Sequence, residues 1–195
     1  MARGALNTAA VVDAAAKLAD KEGLDGLTLS RLAAQLGIKP PSLHKHIDSL
    51  DSLRRELALR GLREANQRMT RGAVGRSGED ALLGIGRAYR EFAGEHPGLY
   101  AASLRMPQKA DPEWAKAGEE AVATAVAVMA GFGLRGADAL HATRAVRAII
   151  HGFVSLEAAG GFGLPLSMEE SLDRLVRTFA RGLAAGPVAK RTRKK

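Results

Sequence analysis

The chain has 195 residues, 46% hydrophobic and 26% charged, ordinary globular proportions that exclude a disordered or collagen-like polymer. No cysteine is present, which excludes disulfide frameworks, thiolate metal sites and cysteine nucleophiles. Lys and Arg number 29 against 21 acidic residues, and the formal charge of +8 favours a polyanionic partner without choosing among DNA, RNA and membrane surface.

Residues 1–7 lack the apolar core of a leader. Residues 121–134, the longest uncharged apolar run, fall short of the ~20 residues that cross a bilayer. We therefore expect a soluble, cytoplasmic chain with no membrane partner. Part of the positive excess is local, because Lys190, Arg191, Arg193, Lys194 and Lys195 crowd the end. We read residues 188–195 as a solvated basic tail.

Apolar residues recur with helical rather than alternating spacing throughout, so the expected fold class is all-α. A first helix over 8–22 carries Val12, Ala15, Ala16 and Ala19 on one face and stops at Gly23. Thr28 offers a hydroxyl cap to a short helix in which Leu29, Leu32, Ala33 and Leu36 fall at i, i+3, i+4 and i+7. Gly37 ends it. A second short helix opens near Lys39-Pro40-Pro41, where proline suits the first turn, and is predicted to reach Ile47. Longer helices are predicted over 50–71, 80–95, 97–104, 112–130, 137–159 and 167–183, with a glycine-rich break at 72–78.

The two short helices around Gly37-Ile38 have the dimensions of a helix-turn-helix, whose second helix enters the major groove. Leu43 and Ile47 turn inward, which leaves Pro41, Ser42, Lys45 and His46 outward. Lys45 suits guanine O6 and N7 or phosphate, Ser42 base or backbone, and Lys39 the DNA backbone; Thr28 and Arg31 of the preceding helix suit phosphate. On spacing alone, a helical hairpin with solvated charges explains the pattern equally well. His44 and His46 do not make a metal pair, since residues two apart project from nearly opposite sides of a helix. No metal or cofactor is expected.

Residues 29–38, Leu-Ser-Arg-Leu-Ala-Ala-Gln-Leu-Gly-Ile, followed by Pro41-Ser42-Leu43-His44-Lys45-His46, resemble the helix-turn-helix of the tetracycline-repressor family, over about residues 8–57. In that family the position of His44 is typically a phosphate-contacting tyrosine and that of Ile47 a phenylalanine packed between helices. The resemblance assigns His44 to the DNA backbone. Leu50-Asp51 stands where the family often has lysine, so Leu50 is given no DNA role. Residues 1–55 are then the DNA-binding domain and 56–187 the ligand-binding and dimerisation domain.

Farther on, His96-Pro97-Gly98-Leu99-Tyr100, residues 147–157 around His151-Gly152, and Gly161-Phe162 resemble the subgroup named for a Trp-His-Gly motif, with Ile150 at the tryptophan position. The resemblance implies a homodimer paired through the last two helices, and the residues agree. Val146, Ile149, Ile150, Phe153 and Leu156 form one apolar stripe, and Leu172, Leu175, Val176, Phe179 and Leu183 another. Packing of both stripes inside a monomer fits the same pattern. The large side chains Tyr89, Phe92, Tyr100, Met106, Trp114, Met129, His151 and Phe162 are the candidate lining of an effector pocket, although such residues also build cores.

Gly131-Phe132-Gly133-Leu134-Arg135-Gly136 matches a dinucleotide-binding fingerprint, but it follows an alanine-rich helical stretch and no βαβ units succeed it. No Ser/His/Asp, paired-carboxylate or H-E-x-x-H arrangement is visible, so no enzyme is expected. The reading is a repressor that binds a palindromic double-stranded operator as a dimer and is released by a small apolar or amphipathic effector. The alternative is a sequence-nonspecific architectural DNA binder.

Overall fold

The computed structural model describes residues 6–105 and 110–185. Met106 and the basic tail at 188–195 lie outside the described residues. All regular structure among the described residues is helical, as the periodicity predicts: α1 (Thr8–Glu22), α2 (Leu29–Leu36), α3 (Pro40–Leu43), α4 (Leu50–Ala73), α5 (Gly78–Glu95), α6 (Pro97–Ser103), α7 (Pro112–Ala130), α8 (Gly136–Ala158) and α9 (Met168–Ala184).

Local chemistry explains the boundaries. Asn7 caps α1 by accepting from the Ala10 amide at 2.8 Å, and Thr28 caps α2 by accepting from the Arg31 amide at 3.2 Å. Gly37 takes the left-handed conformation, φ 67°, while the Ile38 amide donates back to the Ala33 carbonyl at 3.0 Å. That closes α2 with a Schellman-type cap. Ser49 and Ser52 cap α4 reciprocally, each hydroxyl accepting the other's amide at 3.0 Å.

Packing divides the chain into two compact units. The first is built from the described residues of Met1–Arg68 and Glu91–Ala121, and the second from those of Met69–Arg90 and Val122–Lys195, so α4, α5 and α7 contribute to both. These packing units do not follow the functional division read at residue 55, because α6 and the first half of α7 belong with the helix-turn-helix.

In the first unit Val11, Leu27, Leu32, Leu43, Leu53, Leu57, Phe92 and Leu99 are sealed from solvent. Helix α6 lies tightly against α1 and α4. A Cβ on Gly98 would meet the Ala19 carbonyl carbon at 2.3 Å, and one on Gly61 the Leu99 carbonyl oxygen at 2.4 Å. In the second unit Leu82, Met129, Val146, Ile150, Leu172 and Val176 form the core. There α4 and α5 touch at Gly72 and Gly84, where a Cβ on Gly84 would fall 2.0 Å from the Gly72 carbonyl oxygen. Each buried leucine-sized side chain contributes about 1.5–3 kcal/mol, whereas the exposed ion pairs contribute roughly 0–1 kcal/mol each, so burial decides the fold.

Two expectations need correction. The buried face of α1 carries Val11, Ala14 and Leu18 rather than Val12, because α1 packs on both α2 and α6 and buries a wider arc. Helix α3 stops at Leu43 instead of running to Ile47; His46 then bonds back to Leu43 at 2.8 Å in a tight turn that carries the chain toward the α4 cap. The predicted α4 end at 71 moves to Ala73, within fraying distance.

Candidate nucleic-acid interface

The residues assigned to DNA from the sequence lie on α2 and α3 and in the turns beside them. Leu32, Ala33, Leu43 and Ile47 are buried, anchoring both helices from behind, and Pro41, His44, Lys45 and Lys39 are exposed. Ser42 and His46 are half-buried at the edge of the same segment. Of the four residues expected to face outward, Pro41 and Lys45 are exposed and Ser42 and His46 are half-buried.

Two long-range bonds fix this segment. The Thr8 hydroxyl at the start of α1 donates to the His46 carbonyl at 3.2 Å, and the Gln35 amide group donates to the Ala14 carbonyl at 3.3 Å. Arg31 is less free than its exposure suggests: its guanidinium pairs with Glu22 at 2.6 Å and donates to the Gly26 carbonyl at 3.3 Å. The Thr28 hydroxyl is engaged as an acceptor at its cap and retains its proton for an external oxygen.

Behind the interface, two polar clusters join the helix-turn-helix to the rest of its unit. Asp20 of α1 accepts the Gly98 amide at 2.8 Å and meets His96 Nδ1 at 3.1 Å; His96 Nε2 lies 3.4 Å from Glu64 of α4. Arg68 pairs with Glu64 and Glu95 and stacks 5.7 Å over the Phe92 ring. Arg55 of α4 holds Asp111 at 2.5 and 3.0 Å and Glu113 at 2.9 Å, and Arg63 holds Glu113 at 2.5 Å. The hydrogen bond from Arg55 is the foremost cause that keeps the Asp111 carboxyl below its ordinary range, and Arg63 does the same for Glu113 ahead of Arg55. These bonds span up to 78 positions; the His96-Pro97-Gly98 pattern is visible in the sequence, but nothing local pairs it with Asp20, so sequence reasoning missed the contacts.

Two family descriptions match the sequence: "Bacterial regulatory proteins, tetR family" over residues 11–57 and "Tetracyclin repressor-like, C-terminal domain" over residues 82–179. The HTH-type transcriptional regulator YobS of Bacillus subtilis is 37% identical over 173 residues, 89% of this chain and 90% of its own. The regulator Rv0681 of Mycobacterium tuberculosis is 41% identical over 156 residues, 80% of this chain and 72% of its own. The chain belongs to the tetracycline-repressor family.

The fold agrees. A Rhodococcus protein of unknown function superposes with a TM-score of 0.79 at 25% identity, covering 93% of this chain and 97% of that one. A TetR variant from Acinetobacter baumannii, solved in complex with minocycline, superposes with a TM-score of 0.68 at 21% identity, covering 92% and 97%. As a member of the family, the chain is a DNA-binding transcription regulator with an N-terminal helix-turn-helix and a helical C-terminal domain. No helix among the described residues is long and apolar enough to cross a membrane.

The effector-lining candidates of this tetracycline-repressor relative fall in both units. Phe92, Tyr100 and Trp114 belong to the first; Tyr89, Met129, His151 and Phe162 belong to the second. Phe92 and Met129 are completely buried, while Phe162 is 38% exposed and lies against Phe153 with ring centroids 5.0 Å apart. The Gly131–Gly136 fingerprint forms the turn between α7 and α8, and the segment before it is helix, not the strand a dinucleotide site requires.

Proposed function

We propose that this regulator is a ligand-responsive repressor that binds a palindromic operator as a homodimer and leaves it when a small apolar or amphipathic effector binds. Thr28, Arg31, Lys39, Pro41, Ser42, His44, Lys45 and His46 face the DNA: Lys45 meets guanine or phosphate, Ser42 base or backbone, and Thr28, Arg31, Lys39 and His44 hold the phosphate backbone. Residues 1–55 act as the DNA-binding part and 56–187 as the effector and dimer part, of the Trp-His-Gly type. The protein acts in the cytoplasm.

The observation that carries this reading is the composition of the first packing unit. The helix-turn-helix shares it with α6 and the start of α7, joined through Asp20 to Gly98 and Arg55 to Asp111. An effector that moves α6 or α7 therefore strains α1 and α4, and a differential affinity of ~1.4 kcal/mol changes DNA occupancy tenfold. Leu140 and Leu156 of α8 are about half exposed, and Leu175, Phe179 and Leu183 of α9 are only partly covered, which supports pairing of these helices across a twofold axis. The minocycline complex of the Acinetobacter relative supports a small-molecule effector.

Sedimentation of the protein on a duplex bearing one inverted repeat tests the assembly. Two chains per duplex support the proposal, and a single chain at saturation contradicts it.

A further inference from the structure

Trp114 is the chain's one tryptophan, and its indole Nε1 is buried without a hydrogen-bond partner among the described residues. Buried donors in folded proteins are nearly always paired, so an unpaired one calls for an occupant. The ring's position is fixed by its own helix. A Cβ on Gly118, one turn later, would lie 3.6 Å from Trp114 Cζ3 and 3.9 Å from Cε3, so that edge of the indole runs along α7 and Nε1, on the opposite edge, points away from it.

The backbone of Trp114 is tied to the DNA-binding helices. Its amide donates to Asp111 Oδ1 at 3.1 Å, the carboxylate that Arg55 of α4 grips with two bonds. Leu53 and Leu57, flanking Arg55 on α4, are sealed in the unit that contains the helix-turn-helix.

We propose that the Trp114 indole N–H is the anchoring donor for the effector, that the effector is an uncharged apolar molecule carrying a carbonyl-type acceptor, and that its arrival is read at α4 through Asp111 and Arg55. This rests on the effector-responsive reading above and names the ligand's chemistry. The charges beside the tie disfavour an anionic ligand: Arg55 and Arg63 are both engaged by carboxylates, and the three carboxylates Asp111, Glu113 and Glu56 outnumber them. Lys116, two residues on, leaves α7 on a different side. An indole N–H donates only, so the ligand must supply the lone pair.

The test uses the full-length protein labelled with 15N-tryptophan, which gives a single indole resonance, titrated with 2-octanone and, in parallel, with octanoate. The expected result is a saturable downfield movement of the indole proton with 2-octanone and a weaker response to octanoate. Trp114→Phe, which keeps a flat ring and deletes the donor, should bind 2-octanone about tenfold more weakly with an unchanged melting midpoint. An indole resonance that neither compound moves, equal affinity of Trp114→Phe, or preference for octanoate overturns the proposal. Binding of an inverted-repeat duplex is measured separately. If the duplex is bound and the indole does not respond, this proposal alone fails; if no duplex is bound, the regulator reading fails.

Discussion

One carboxylate on α1, that of Asp20, accepts the backbone amide of Gly98 at 2.8 Å, so the helix that precedes the helix-turn-helix caps the start of α6. The same oxygen receives the Leu99 amide at 3.3 Å, and the other faces His96. Loss of a cap of this kind costs about 1–2 kcal/mol. Asp20→Ala is therefore expected to lower stability by that amount in urea denaturation, and Asp20→Asn, which keeps an acceptor, by less. Equal losses in the two variants would show that charge, not capping, holds the contact.

Gly98 is required by space as well. Any Cβ there falls 2.3 Å from the Ala19 carbonyl carbon and 2.5 Å from the Asp20 amide nitrogen, both backbone atoms that cannot rotate away. Gly98→Ala should force α6 off α1 and destabilise the protein by about 1–3 kcal/mol, the usual range for overpacking. A melting midpoint equal to that of the wild type would mean that α1 and α6 are not in register as described.

Thr143 makes the opposite case. It is buried on α8 with its hydroxyl unpaired among the described residues, so replacing the hydroxyl by a methyl group removes an unmet polar atom at nearly constant shape. Thr143→Val should leave the melting midpoint unchanged or raise it. A loss of more than about 1 kcal/mol would indicate a hydrogen bond that the hydroxyl does make.

Acid should loosen the tie between α4 and α7. Arg55 and Arg63 hold the carboxyls of Asp111 and Glu113 below their ordinary values of 3.8 and 4.5, mainly by side-chain hydrogen bonds. Carboxyls depressed in the folded state add stability that is fully present above those ordinary values and is lost as the pH falls below them. Arg55→Met removes Arg55 from both and should flatten the fall of melting midpoint with pH below about 4.5. Parallel pH profiles for variant and wild type would contradict this coupling.

Helix identities and most boundaries were legible because they are local. Asn7, Thr28, Gly37 and the Pro40-Pro41 pair act within a turn of their own positions. The end of α3 was not legible, since the tight turn after Leu43 depends on the Thr8 hydroxyl reaching the His46 carbonyl from 38 residues away. Helical spacing found the exposed Pro41 and the buried Leu43 of the recognition segment, but Lys45 and His46 lie beyond the end of α3, and His46 is half-buried. The effector lining was less readable, because side-chain type does not separate a pocket wall from a core: Phe92 and Met129 are sealed, and Trp114 stands out only through an unpaired nitrogen visible in three dimensions.

Lys45 is the sharpest point of the DNA assignment, being exposed just beyond α3. Lys45→Ala should weaken specific binding by about 1–3 kcal/mol if it reads a guanine, and only reduce the salt slope by ~1 if it holds a phosphate. Unchanged operator affinity at all salt concentrations would remove Lys45 from the interface.

Selection of bound duplexes from a random pool by the purified protein tests DNA recognition, specificity and symmetry together. The predicted result is enrichment of an inverted repeat whose half-sites are separated by about one helical turn, ~34–36 Å. Absence of any enriched site, with binding that simply falls steeply with salt, would contradict an operator-reading dimer and point to nonspecific association with DNA.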